Sequence, residues 1–391
     1  MISFGRLNRF TILTIFASIF IILYSIMMSS IFFDNLSHIK KTIITTTLFI
    51  IMLSVYYKAI SHNFFINKDD FCEKIGKWAF YSFVFMVIIG FIQFFMKLGL
   101  VPKGVSEQIT LLFSYRTVNR IQMVSGEPSM MVRNILFLGV FIYFYYYGKY
   151  RKIVIFLIIF FLLVSGSTFG YVTIFLFFIV YIVLFKPKLI FNLRILSFIS
   201  LLLILIWVLM NNFLDDYTLN KIDIVLKILT NLDLKTLSTV VQSDGSAFQR
   251  LMNPIIGFMS GEYTFYLGTG LDGYRYIYPY YINEYFSFSL NYESVYAAVS
   301  GESYITPKSL YSKIYSELGI VSFLLFMFFN LYLYLKILLL NSKTKIVLSV
   351  LFSLSLVLII QNDSIIYLNY FFIIIFITLQ LNYTKIKNIK E

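Results

Sequence analysis

Ten apolar runs, 14 to 24 residues long, constrain this chain more than any other feature; they lie near 11–33, 42–57, 78–96, 130–147, 153–166, 169–185, 195–211, 317–340, 346–361 and 365–382. A helix of about 20 apolar residues crosses the hydrocarbon of a bilayer. Only helices and closed barrels satisfy their backbone there. The runs therefore predict an all-α polytopic membrane protein with about 10 transmembrane helices and one large external loop. Composition agrees: only 13% of the chain is charged, where a soluble domain carries about 25%, and the mean hydropathy is +0.83.

The net charge of +13 would suggest nucleic acid as a partner in a soluble protein. Here the basic residues sit in short loops between apolar runs, the positive-inside pattern, so membrane lipids are the expected partner and nucleic acid is not. The stretch 153–185 has basic flanks at both ends, Lys149, Arg151 and Lys152 before it and Lys186, Lys188 and Arg194 after it. Two short crossings that turn at Ser165-Gly166-Ser167-Thr168 keep both flanks on one side. The first run is too long for a signal-peptide core and reads as a retained span. Ten spans put both termini in the cytoplasm, with Lys385, Lys387 and Lys390 in the tail. Lys40 and Lys41 then fall outside, against the pattern.

Three regions follow: an N-terminal bundle over 1–211, a large outer loop over 212–316, and C-terminal spans with a tail over 317–391. The loop holds 10 acidic and 7 basic residues, net −3, against +16 for the remainder. It is too long for a simple connection. Amphipathic stretches such as Ile222 to Leu237 predict short helices packed on the membrane face. The chain has one cysteine, Cys72, and two histidines, His38 and His62. No intramolecular disulfide can form, and neither a His/Cys metal site nor a cofactor is expected.

Charges kept beside hydrocarbon usually work. Arginine is scarce, nine against 23 lysines, yet Arg116, Arg120, Arg133, Arg250 and Arg275 lie outside or at the outer boundary. A guanidinium fork matches phosphate oxygens, so these suit a lipid-linked phosphate; loop acids or lipid headgroups are the alternative partners. In Arg120-Ile-Gln-Met-Val-Ser-Gly126-Glu127-Pro128-Ser129, Glu127 is either a helix-start acid before an N-terminal proline or a carboxylate that accepts a hydroxyl proton. Gly268-Thr-Gly270-Leu-Asp-Gly273 matches a dinucleotide fingerprint. However, it lies in the outer loop and no helix is expected in Tyr274-Arg-Tyr-Ile-Tyr-Pro279. A tight, backbone-exposing turn that presents Asp272 and Arg275 is the better reading. Ten tyrosines fall between Tyr263 and Tyr296; with Tyr311 they suit either sugar faces or an interfacial belt, Tyr274 and Tyr311 being the glycan-contact candidates. Tyr311, Lys313 and Glu317 are spaced to meet on one helix face, with Glu317 at a span mouth.

In order, Arg120…Gly126-Glu127-Pro128-Ser129, Ser165-Gly-Ser-Thr168, Arg250 with Gly268-Thr-Gly270, and Ser309…Glu317-Leu-Gly319-Ile320 resemble the bacterial O-antigen polymerase and O-antigen ligase superfamily. The motifs span about 110–330, and the topology covers the whole chain. The resemblance implies glycan transfer from undecaprenyl pyrophosphate at the periplasmic face of the inner membrane, with no nucleotide sugar and no obligatory metal. It implies a fold like the C-type membrane glycosyltransferases. By motif position it assigns the pyrophosphate to Arg120 and Arg250, with Arg116 and Arg275 as further candidates. A chain-length regulator and a flippase of the same pathway are the implied protein partners. Ligases often carry a histidine where this chain has Ser309, and the second motif lacks the family's arginine at Thr168. The expectation is therefore a repeat-unit polymerase, with Glu127, Glu317 and Asp272 as candidate bases. A ligase acting on lipid core is the rival within the superfamily, and a glycolipid flippase the rival outside enzymology.

Overall fold

The computed structural model describes residues 9–33, 39–112, 121–165, 167–189, 245–340, 343–362 and 368–390. No strand occurs among the described residues. The expected span 195–211, the amphipathic stretch Ile222 to Leu237, and Arg116 and Arg120 lie outside them. The helices are α1 (Arg9–Phe33), α2 (Ile39–Ile66), α3 (Lys68–Lys97), α4 (Lys103–Leu111), α5 (Pro128–Tyr145), α6 (Arg151–Val164) and α7 (Thr168–Phe185). From residue 245 on come α8 (Gly245–Tyr263), α9 (Tyr274–Tyr285), α10 (Glu293–Val299), α11 (Leu310–Leu338), α12 (Lys343–Ile360) and α13 (Leu368–Lys390). Among the described residues four helices are long and apolar enough to cross a membrane, over Ile43–Ile66, Lys68–Lys97, Pro128–Tyr145 and Leu310–Leu338, and shorter apolar helices accompany them. This is an all-α, multi-pass membrane protein.

Helices outrun the apolar runs where polar residues continue the turn. α3 starts at Lys68, ten residues before its apolar run. Asn67 caps it by accepting from the Asp70 amide at 3.2 Å. Ion pairs Asp70–Lys74 (2.7 Å) and Glu73–Lys77 (2.6 Å) sit one turn apart on its exposed face, the spacing that supports a solvated helix. At 165–168 the expected two-helix reading holds. α6 ends before Ser165, and the Ser167 hydroxyl caps α7 by accepting from the Gly170 amide at 3.0 Å.

The chain forms two compact units, one of Met1–His62, Thr230–Leu339 and Ile359–Glu391, the other of Asn63–Leu229 and Leu340–Leu358. In the second, α3 and α5 cross closely because Gly76 has no side chain; a Cβ there would lie 2.3 Å from the Tyr145 carbonyl oxygen. Phe80 stacks on Tyr146 at 4.2 Å beside this crossing. Ala79 and Phe83 of α3, Met131, Val132, Ile135 and Phe141 of α5, and Phe161 of α6 are fully buried in this unit.

In the first unit, the loop helices α8, α9 and α10 build their own core from Phe248, Met252, Ile256, Tyr274, Ile277, Tyr278, Val295 and Ile305. A helix does follow Gly273, contrary to the sequence expectation. Tyr274 and Tyr278 are absorbed by this core together with Tyr281. Tyr274 donates to Asn253 O at 3.1 Å and Tyr281 to Met259 O at 2.7 Å, while the Tyr278 hydroxyl is buried without a hydrogen bond among the described residues. A buried tyrosine is tolerated when its hydroxyl is paired.

Candidate active site

The site residues of the first unit are organised by one glycine. Gly319 has φ 78 and ψ 175 inside α11, a conformation open essentially to glycine alone. In a straight helix Tyr311 and Phe326 would stand about 22 Å apart along the axis. Their ring centroids are 5.6 Å apart, as are those of Tyr315 and Phe323. The chain therefore doubles back at Gly319, with limb 310–318 antiparallel to limb 320–338. The second limb, about 28 Å long, is the apolar span, and Glu317 stands at its mouth.

Reversing a helix leaves its last carbonyls without intrahelical partners. The Gly268-Thr269-Gly270 turn supplies them. The Thr269 amide donates to Ser316 O at 2.9 Å, Gly270 N to Glu317 O at 2.8 Å, and Ile320 N returns a bond to Tyr266 O at 2.9 Å. Both backbones must approach closely, because a Cβ on Gly268 would lie 2.5 Å from Gly319 N and one on Gly319 would lie 2.2 Å from Leu267 O. α1 closes the other side, where Ser25 Oγ accepts from the Leu271 amide at 3.1 Å. The turn is tight, as expected, but it is buried and not backbone-exposing.

This interlock presents three charges to one another. Lys313 Nζ lies 3.6 Å from Asp272 Oδ1 and 3.7 Å from Glu317 Oε2. The three side chains are 9%, 10% and 1% exposed, in the order Lys313, Asp272, Glu317. Asp272 reaches the pair because its backbone is left-handed, φ 62. Tyr304 donates its hydroxyl to Asp272 Oδ1. Burial pushes that hydroxyl above its ordinary pKa; the Lys313 charge opposes this, and Asp272 adds to it by charge and hydrogen bond. Lys313 already faces two carboxylates, which an incoming phosphate would have to compete with. Glu317 near the end of a helical limb opposes the helix dipole, and Lys313 one turn earlier offsets it.

The arginines are placed differently. Arg250 is half-buried on α8. Arg275 lies over the Tyr276 ring at 4.8 Å and donates to its hydroxyl at 2.7 Å. Tyr274 is fully buried, so the face expected to meet a glycan is taken up by the core. Tyr311 is half-buried against Phe326. Ser309 starts α11 with no side-chain cap, and its hydroxyl reaches Ile359 O at 3.5 Å.

In the other unit Glu127 is the residue before α5, extended at φ −149 and ψ 152, with Pro128 opening the helix. Its carboxylate caps no amide of its own helix. It accepts from Ser129 Oγ at 3.3 Å and is half-buried. Two partners escaped the sequence reading. Tyr304 gave no signal there, lying in an aperiodic segment. Gln93 did, as a lone amide within an apolar run, since polar groups inside spans are seldom idle.

Residues 153–327 match the family model for O-antigen ligase. The match supports the O-antigen ligase and polymerase superfamily. It covers Arg250, Asp272, Arg275, Tyr304, Lys313 and Glu317, and ends before the Glu127 segment on the N-terminal side. It supports an O-antigen ligase- or polymerase-type activity and suggests a glycosyltransferase-like enzyme. No curated protein and no solved structure matches the chain.

Proposed function

We propose that this protein is a polymerase of lipid-linked polysaccharide repeat units, acting at the periplasmic face of the bacterial inner membrane with both termini in the cytoplasm. The donor is the growing glycan on undecaprenyl pyrophosphate. The acceptor is a hydroxyl of a new lipid-linked repeat unit. The bond between the anomeric carbon and the pyrophosphate oxygen breaks, a glycosidic bond to the acceptor oxygen forms, and the acceptor proton passes to a base. Arg120 and Arg250 hold the departing pyrophosphate, where guanidinium groups stabilise the charge that develops as it leaves. Arg116 and Arg275 assist.

Glu127 is the preferred base. Its carboxylate is half-open and caps no helix, whereas Glu317 is 1% exposed and faces Lys313. Asp272, bonded by Tyr304 and paired with Lys313, is the second choice. The observation that carries the reading is the family match enclosing a buried charged cluster at the mouth of a span. Polymerase is favoured over ligase because residues 110–330 contain no histidine. A chain-length regulator and a flippase of the same pathway are the proposed partners.

A gel of surface glycolipid from a deletion strain tests this. Core bearing a single repeat unit, with the ladder lost, supports the polymerase. Bare core with long polymer held on the lipid carrier makes it a ligase. Glycolipid stranded on the cytoplasmic side makes it a transporter.

A further inference from the structure

The turn that leads into Glu127 is held by a residue from another helix. Gln93 lies in α3 and is 3% exposed. Its Oε1 accepts from the Gln122 amide at 3.0 Å and the Met123 amide at 2.8 Å, and its Nε2 donates to Met123 O at 3.1 Å. One side chain thus satisfies three backbone groups. Met123 is left-handed at φ 51, a conformation a bulky side chain takes only when its surroundings impose it. One turn before Gln93, Gly90 clears space for the Met123 side chain; a Cβ at Gly90 would lie 2.9 Å from Met123 Cε. Met123 itself is fully buried. The far end of the turn is tied as well. Ser125 N donates to Gln122 O at 2.9 Å, and Asn134 Nδ2 from α5 donates to Ser125 Oγ at 3.1 Å.

Such a clamp exceeds what a connection between two helices needs. A loop of this length could satisfy its amides with water at the membrane face. A buried amide in an apolar helix is costly unless it is bonded, and both ends of this one bond the backbone just before Ser125-Gly126-Glu127. We propose that Gln93 is a positioning residue that fixes the 121–125 turn and thereby sets the carboxylate of Glu127. The proposal rests on the assignment of Glu127 as the base.

The test uses purified full-length protein in nanodiscs with a polyprenyl-pyrophosphate-linked repeat unit as donor and acceptor. Gln93→Leu keeps the bulk and loses all three bonds. Misplacing a catalytic group by about 1 Å costs on the order of a hundredfold in rate. The expected result is that loss in kcat per folded molecule, with KM for the lipid-linked unit near wild type and the acid limb of the pH profile moved. Gln93→Glu keeps the oxygen that accepts from both amides and loses the donor. It should be intermediate in kcat with the same limb moved, and it carries the test if Gln93→Leu does not accumulate. Wild-type kcat, or a loss that only tracks the folded fraction with the acid limb unmoved, overturns the proposal. Glu127→Gln separates the two assignments. If it keeps wild-type kcat, the base assignment has failed. If it is inactive while the Gln93 variants retain wild-type kcat and pH profile, only the positioning role has failed.

Discussion

Gly319→Ala should do more damage than any other single methyl group added in the first unit. The position combines φ 78 with ψ 175, which costs an alanine about 1–3 kcal/mol in backbone conformation alone. The new Cβ would also lie 2.2 Å from Leu267 O and 2.8 Å from Tyr266 O. Both are backbone atoms, so no side chain can swing aside. Relief requires the 266–270 turn to move off the helix reversal and give up three backbone bonds, Thr269 to Ser316, Gly270 to Glu317 and Ile320 to Tyr266. At about 1 kcal/mol for each bond, the total loss is about 4–6 kcal/mol. Gly301→Ala is the matched control: φ is 81, and nothing lies within 4 Å of its added Cβ. It should lose only the conformational part, about 1–2 kcal/mol. Thermal unfolding of both variants in detergent, followed by intrinsic fluorescence, makes the comparison. Equal and small losses would refute the interlocked reversal at Gly319.

Three other perturbations probe the cluster and the anion site. Lys313→Met strands the Asp272 and Glu317 carboxylates in a buried place, and should destabilise by about 3–5 kcal/mol; adding Glu317→Leu should recover part of it, which a melting series will show. Because the Tyr304 hydroxyl is held above its ordinary pKa, chiefly by burial, the folded state prefers it protonated. Its contribution is full below pH 10 and is lost as pH rises through the raised value. The stability difference between wild type and Tyr304→Phe should therefore be constant below pH 10 and shrink above it, and a margin that grows with pH would contradict the assignment. Arg250→Ala should abolish long chains on a glycolipid gel while the protein still inserts, and Arg250→Lys should rescue poorly because an ammonium cannot reproduce the guanidinium fork.

What was legible in the sequence is what periodicity and charge record. Apolar length marks the helices, and the basic residues on either side of 153–185 mark the break between α6 and α7. Pro128 marked the start of α5, and the spacing of Lys313 and Glu317 marked their pairing. Contacts made by chain reversal were not legible. Nothing local announces that Gly319 folds a helix back on itself, since a glycine within an apolar helix reads as an ordinary packing residue. Asp272 and Tyr304 are 32 residues apart, and only the interlocked turn brings them together. Tyr274 misled because composition cannot tell a tyrosine at a sugar face from one in a small core, and here Asn253 O decides it. The three bonds of Gln93 connect residues about 30 apart, so the lone amide was visible but its target was not.

The central claim is transfer from one lipid pyrophosphate to another lipid-linked unit, and reconstitution tests it most directly. Purified protein in liposomes would receive a single polyprenyl-pyrophosphate-linked repeat unit and no other acceptor. The account predicts lipid-linked products of two or more repeats, with one free polyprenyl pyrophosphate released for each bond formed and both lost in Arg250→Ala. Product that appears only when a lipid core is added, or elongation without release of polyprenyl pyrophosphate, would contradict it.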